Sequence, residues 1–267
     1  MSSGGVVAGT SAGTDCLTSD IMISGGTSYS GLKYGSKTFM EPYPSPIFDE
    51  LTAYTNGIGM FPHSLLDTHF ENRGRHGRMI RLLADTRGYP TGSLQAIGVD
   101  ENTALVVTGG WNSRFGSVIG QRGVVLMDIT SAVVGTTTDW SIEGVKVSHL
   151  THGDTINLSS FAITPASFKT PMAGRESEAP ASSSNDIFAS TEFSNGDEST
   201  AFQFNMVASS LFKSKETVAY GYTKEKNPQF KVTMSKSSSQ GGYDGVDPAT
   251  GQYWFSYYHM SVNLDSI

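Results

Sequence analysis

Gly4-Gly5-Val6-Val7-Ala8-Gly9-Thr10-Ser11-Ala12-Gly13 is the stretch on which the fold turns. A short apolar run leads into G-x-S-x-G, the form of a nucleophile elbow. In that geometry a strand ends in a sharp turn that lifts a serine above the sheet, and a helix follows. The glycines suit a strained, crowded backbone, where a Cβ at Gly9 or Gly13 would collide with neighbouring elements. Alone, the pentapeptide also fits an ordinary Gly/Ser turn, so the downstream sequence has to decide. On the elbow reading, residues 5–9 form a buried parallel strand, and a helix runs from Ala12 to about Ser19.

The chain has 267 residues, 37% of them hydrophobic, enough for one large domain or a domain with an appendage. A net charge of −7 and a pI near 5.3 argue against a nucleic-acid footprint. No apolar run approaches the length of a membrane span. The single cysteine, Cys16, excludes a disulfide framework and reads as a small buried apolar residue. A parallel strand needs neighbours on both sides, yet the chain opens almost directly on one. Met1 therefore reads as an internal or misassigned start and the sequence as a fragment, which leaves the compartment, cytoplasmic or secreted, open.

Working outward, residues 22–46 are loop, ending in Glu41-Pro42-Tyr43-Pro44-Ser45-Pro46. Ile47 to Tyr54 could make a helical turn or two, and Gly57–Phe61 and Leu65–Phe70 read as strands. From Gly74 to about Tyr89 the spacing is helical, with Met79, Leu82 and Leu83 on one side. Leu94–Val99 and Thr103–Thr108 read as a strand pair around Asp100-Glu101, and Gly116–Ile119 and Val124–Ile129 continue the sheet. Val145–Leu150 alternates like a half-exposed strand, and Thr151-His152-Gly153-Asp154 is a turn. Residues 165–200 are polar, a linker or excursion outside the core. Phe202–Phe212 fits helix or strand; Phe230–Met234 and the aromatic run Tyr253–Tyr258 fit strands. The expected organisation is a catalytic domain over 1–164, a polar segment over 165–200 and a β-rich extension over 201–267.

The second informative stretch is Asp67-Thr68-His69-Phe70-Glu71-Asn72-Arg73-Gly74-Arg75-His76-Gly77-Arg78. A histidine at the end of an apolar strand lies where strand C-termini meet ligands in open α/β sheets. A general base for Ser11 belongs there. Arg73, Arg75 and Arg78 are crowded enough to call for an anion, and guanidinium forks grip carboxylates bidentately. In the third stretch, Gly98-Val99-Asp100-Glu101-Asn102-Thr103-Ala104, Glu101 follows a strand and could orient His69, the third role in a serine triad. Each also has a bland reading: a turn histidine, a solvated basic face, a capping acid. His149 and His152, beside Asp154, carry metal-ligand side chains, but a strand and turn send that spacing apart, so no metal site is expected. His63 and His76 read as surface residues.

Together, G-T-S-A-G at 9–13, D-x-H-F-x-x-R-x-R-x-x-R at 67–78 and G-x-D-E-x-T-A at 98–104 resemble the cyanophycinases. That serine-peptidase family also contains the aspartyl dipeptidases. The resemblance spans roughly residues 4–160. It implies a class I glutamine-amidotransferase-like three-layer α/β sandwich, without metal or cofactor. Carried over motif by motif, Ser11 is the nucleophile, His69 the base and Glu101 its orienter. The backbone N–H of Ala12 is one oxyanion donor, and Asp67, Thr68, Arg73, Arg75 and Arg78 line the substrate pocket. The implied substrate is cyanophycin, poly-aspartate with arginine on each β-carboxyl, cut to β-Asp-Arg dipeptides.

Two departures stand out. The family usually has Gln at the position of Thr68, and one hydroxyl cannot replace a two-ended amide contact. The family's upstream strands, with a second oxyanion donor and a further binding Gln, do not occur in these residues. Losing one such donor costs on the order of a hundred- to a thousand-fold in turnover. Three readings follow: a cyanophycin-cleaving exopeptidase, an α-aspartyl dipeptidase-like hydrolase, or a truncated non-catalytic homologue. A homodimer is compatible with each.

Overall fold

A ten-stranded mixed sheet carries the molecule in the computed structural model, which describes residues 4–39, 50–55, 57–110, 113–135, 140–193, 200–238 and 240–267. Its main path runs β13 (Thr170–Pro171), β16 (Gly241–Val246), β17 (Tyr253–Ser266), β10 (Ile142–Thr151), β8 (Gly123–Asp128), β5 (Gln95–Val99), β4 (Leu65–Thr68). From β17 it also continues through β15 (Phe230–Ser235) to β14 (Val218–Tyr222), and β9 (Val133–Val134) pairs with β10. Among the described residues, only β4 and β5 run parallel in this sheet. A four-stranded antiparallel sheet holds β6 (Thr103–Gly110), β7 (Ser113–Gly120), β11 (Thr155–Asn157) and β12 (Ile163–Thr164). A small third sheet orders β1 (Met22–Ser24), β3 (Thr52–Tyr54) and β2 (Lys37–Phe39). The α-helices are α1 (Ala12–Asp15), α2 (Ser28–Tyr34), α3 (His76–Thr86) and α4 (Gln203–Lys213). The chain is therefore α/β, with mixed sheets and few helices.

Strand alternation sorts the core into two sides. Val125 and Met127 of β8 join Met79, Leu82 and Leu83 of α3 and Phe204 and Val207 of α4. Val124 and Leu126, pointing the other way, join Val118 and Ile156 of the four-stranded sheet. Helices thus cover one face of the large sheet and a second sheet covers part of the other. The helical spacing in α3 exists to serve this: Met79, Leu82 and Leu83 are fully buried. Each contributes about 1.5–3 kcal/mol of apolar burial. No helix among the described residues is long and apolar enough to cross a membrane.

Several expectations change. Residues 4–10 form no strand and Val6 is 92% exposed, because no described strand lies beside them to take their hydrogen bonds. The helix after Ser11 is one turn, Ala12–Asp15, and Cys16 beyond it is only half-buried. Gly57–Phe61 is loop, joined to the rest by an isolated Thr18–Phe61 bridge. The expected loop over 22–46 instead holds β1, α2 and β2; its Pro-rich run 41–46 and residues 47–49 lie outside the described residues, and Thr52–Tyr54 is strand, not helix.

The strands flanking Asp100-Glu101 do not pair with each other. Strand β5 belongs to the large sheet and β6 to the four-stranded one, so this acidic pair sits where the chain crosses between sheets. The C-terminal part of β10 is buried on both faces rather than half-exposed. Within 165–193, Met172 and Ile187 enter the main core, which polar composition did not suggest. The ambiguous segment is helix α4, and the aromatic run opens a 14-residue strand. The β10–β17 pairing joins residues before 164 and after 201 in one sheet.

Candidate catalytic site

The parallel pair β4/β5 places the site. Its register sets Asp67 beside Gly98 and Thr68 beside Val99, so both chains leave the sheet at one level. His69 leaves β4 in a left-handed turn at φ 49°, and Asp100-Glu101 follows β5, with Asn102 at φ 52°. Phe70 folds back over Gly98, where an added Cβ would lie 2.2 Å from its ring. That close approach explains the glycine of the third motif. Ser11 caps α1 at φ 51°, ψ −132°. Three of the six non-glycine residues with positive φ, Ser11, His69 and Asn102, therefore lie at this one place among the described residues. Backbone strain of about 1–3 kcal/mol each tends to gather where function requires it. A Cβ at Gly9 would meet the Gly13 carbonyl oxygen at 2.4 Å, whereas Gly13 has open space around it, so only the first glycine is sterically required.

The three side chains meet. Ser11 Oγ lies 2.9 Å from His69 Nε2, and His69 Nδ1 lies 2.7 Å from Glu101 Oε1. Ser11 is exposed, while His69 and Glu101 show about a quarter of their side-chain surface to solvent. Burial alone would raise the Glu101 carboxyl, but the neighbouring Asp100 carboxyl and the hydrogen bond to His69 outweigh it and hold it at about 2. An ionised Glu101 can only accept, so Nδ1 carries the imidazole proton and Nε2 is left to accept from Ser11. Ala12 is the first residue of α1, so its N–H has no partner within the helix.

The arginines find an anion inside the fold. Asp67 is fully buried, and Arg78 grips it with Nη2 at 2.6 and 2.7 Å from its two oxygens and Nε at 3.1 Å. Arg75 Nη1 donates to the same carboxylate at 2.7 Å and to the Thr68 carbonyl at 2.8 Å. Burial would raise Asp67, but the two guanidinium charges hold it below the usual carboxylate range. Arg73 points elsewhere, to Glu192 at 2.8 Å, in a partly exposed pair worth little to stability. Thr68 is buried, its hydroxyl 3.5 Å from Asp15 Oδ1.

No protein-family model matches the chain. Two curated proteins named Cyanophycinase, from Trichormus variabilis and from a Nostoc species, are each 29% identical to it over 123 residues. The match takes in 43% of this chain and 38% of each relative, so the chain spans well under half the length of the curated relatives it matches. The relationship is cyanophycinase-like and distant.

Two acids beside the site had no role in the sequence reading. Asp15, one turn after Ser11, has its carboxyl pushed up to about 8, by burial first and then by the charge of Asp67, against Arg75 and Arg78. Its signal was its position, i+4 from the serine on the same short helix. Asp100 is buried directly behind Glu101. Two of the other histidines are buried in the fold. His76 is buried, not on the surface, stacked on Phe204 at 3.9 Å. Burial pushes its imidazole down to about 4. His149 pairs with buried Glu71 at 3.2 Å, away from His152. Among the described residues, no cluster of His, Cys, Asp or Glu could hold a metal ion.

Proposed function

We propose that the chain carries a serine-type hydrolytic centre of the cyanophycinase kind, with Ser11 as nucleophile, His69 as general base and Glu101 as its orienter. One observation carries this reading: three side chains from separate stretches form a continuous hydrogen-bonded chain, at 2.9 and 2.7 Å, ending on an exposed serine. His69 Nε2 takes the hydroxyl proton as Ser11 Oγ attacks the scissile carbonyl. Ionised Glu101 stabilises the imidazolium that forms. The Ala12 N–H offers one donor to the developing oxyanion. Collapse expels the amine, which takes its proton from His69. Water, deprotonated by His69, then cleaves the acyl-enzyme and frees Ser11.

The proposed substrate is the arginine-decorated poly-aspartate that the cyanophycinase resemblance implies, or else an aspartyl peptide. Arg75 and Arg78 against Asp67 leave two positive charges facing one negative, with Asp15 protonated below about pH 8. That single excess charge, with Thr68 at its edge, is the feature that would receive a substrate carboxylate. Arg73 would act at the outer rim. The corresponding fold reading is a class I glutamine-amidotransferase-like sandwich with an elbow at Ser11. Its support is the order of strained serine and helix, together with the parallel β4/β5 pair.

The test is hydrolysis of cyanophycin by the wild type and by Ser11→Ala, with both folds checked by circular dichroism. Loss of β-Asp-Arg release with the fold intact supports the proposal. Equal release by the alanine variant removes it. Asp-X dipeptides offered in parallel decide between polymer and dipeptide cleavage.

A further inference from the structure

The side of Glu101 that faces away from His69 is chemically incomplete. Its Oε1 meets His69, but its Oε2 is buried with no hydrogen-bond partner. Asp100 has the matching defect: Oδ1 accepts from the Asn72 backbone N–H at 3.4 Å, and Oδ2 is buried and unpartnered. The two acids are adjacent in the chain, in the turn that follows β5, and after burial each is the strongest influence on the other's proton. Two ionised carboxylates there would be acceptors with no donor, at a cost of about 1–3 kcal/mol or more for each stranded group. One proton satisfies both oxygens.

We propose that Asp100 is a positioning residue, a neutral carboxylic acid that donates its proton to Glu101 Oε2 and so fixes Glu101 Oε1 on His69 Nδ1. The surroundings decide which acid keeps the proton. Glu101 faces His69, where positive charge develops during proton transfer. Asp100 faces Glu101 and buried Glu71, both negative. Burial would raise the Glu71 carboxyl, but His149 at 3.2 Å outweighs it and keeps Glu71 below the usual carboxylate range. Burial, the hydrogen bond to Glu101 and the charge of Glu71 together push the Asp100 carboxyl up to about 9. The arrangement follows the rule that neighbouring titratable groups are driven apart so that each takes one role.

The inference rests on the triad reading, and the experiment separates their failures. Its first arm is a carboxyl-carbon NMR titration of aspartate-labelled protein, with the Asp100 signal identified by its absence from Asp100→Asn. The proposal expects that signal to hold its proton at neutral pH and titrate in the alkaline range; titration at an ordinary carboxylate pH overturns it. The second arm is the rate of Ser11 modification by a fluorophosphonate probe across pH. Asp100→Ala should slow it about tenfold, the worth of one orienting hydrogen bond. Asp100→Asn, which still donates an N–H, should recover to within about threefold of wild type, keep the acid limb in place and lose any alkaline limb. Slowing by Asp100→Asn equal to that by alanine overturns the proposal. So does an acid limb displaced downward by about half a pH unit or more, because that means a charge was removed. A wild type that does not react at Ser11 overturns the triad and the positioning role with it, and is recognised before any Asp100 variant is compared.

Discussion

Thr68 and Val99 are register partners at the carboxyl ends of two parallel strands, and the residues that follow them, His69 and Asp100-Glu101, therefore emerge together. Base and acid are 32 positions apart in the chain, yet Nδ1 and Oε1 end 2.7 Å apart. The serine arrives from a third direction, at the cap of α1. The hydrogen-bond chain is thus a consequence of sheet register, and each link can be broken separately.

Glu101→Gln keeps the shape but removes the charge that holds Nδ1–H and stabilises imidazolium. Ser11 reactivity toward a fluorophosphonate should fall on the order of a thousandfold, and thermal unfolding at neutral pH should come a few degrees earlier, because the ion's stabilising contribution is gone. The carboxyl of Glu101 is lowered in the fold, so its stabilising contribution is present above the ordinary glutamate range. It is lost as pH falls from there toward about 2. The glutamine variant should show a shallower acid-side loss of stability than the wild type in a pH series of melts.

Asp67→Ala strands two guanidinium groups, one of them buried. Breaking a buried pair in this way costs about 3–5 kcal/mol, or a fall in Tm on the order of 10 °C for a chain of this size. Calorimetric unfolding reads it directly. The bidentate Arg78 contact should make this the largest stability effect among single substitutions in the 67–78 stretch.

Asp15→Asn tests the opposite sign. A carboxyl raised to about 8 holds a proton that the unfolded chain releases near 3.8. The folded state therefore binds more protons across that window, and stability falls as pH rises through it, by up to about 1.4 kcal/mol per pH unit. Removing the carboxylate should leave the melt unchanged at pH 4 and raise Tm by several degrees at pH 8. Equal shifts at both pH values would show that burial does not strain this acid.

Much of this was legible in the sequence. The residues of the hydrogen-bond chain lie in short motifs that quote turn chemistry: G-x-S-x-G at 9–13, a histidine after an apolar strand, an acid pair after another. Helix α3 was readable because Met79, Leu82 and Leu83 repeat on one face. What sequence could not supply was tertiary pairing. The anion for Arg75 and Arg78 is Asp67, inside the same motif, and nothing in its spacing says that it turns inward. Likewise, β5 and β6 look like a hairpin until their partners, β8 and β7, pull them into different sheets. His76 reads as a polar surface residue and is buried because Phe70 and Phe204 close over it. The long strand β17 was seen only in its aromatic opening, since later residues such as Asn263 and Asp265 break the apolar pattern while still pairing with β15.

Activation of Ser11 by His69 is the step on which the proposed chemistry depends. The most direct measurement is the site and rate of fluorophosphonate attachment, located by mass spectrometry in the wild type and in His69→Ala. A single adduct on Ser11 is expected in the wild type, with a rate at least about a hundredfold lower in the variant. An adduct on Ser11 that forms equally fast without His69, or none on Ser11 in the wild type, would contradict it.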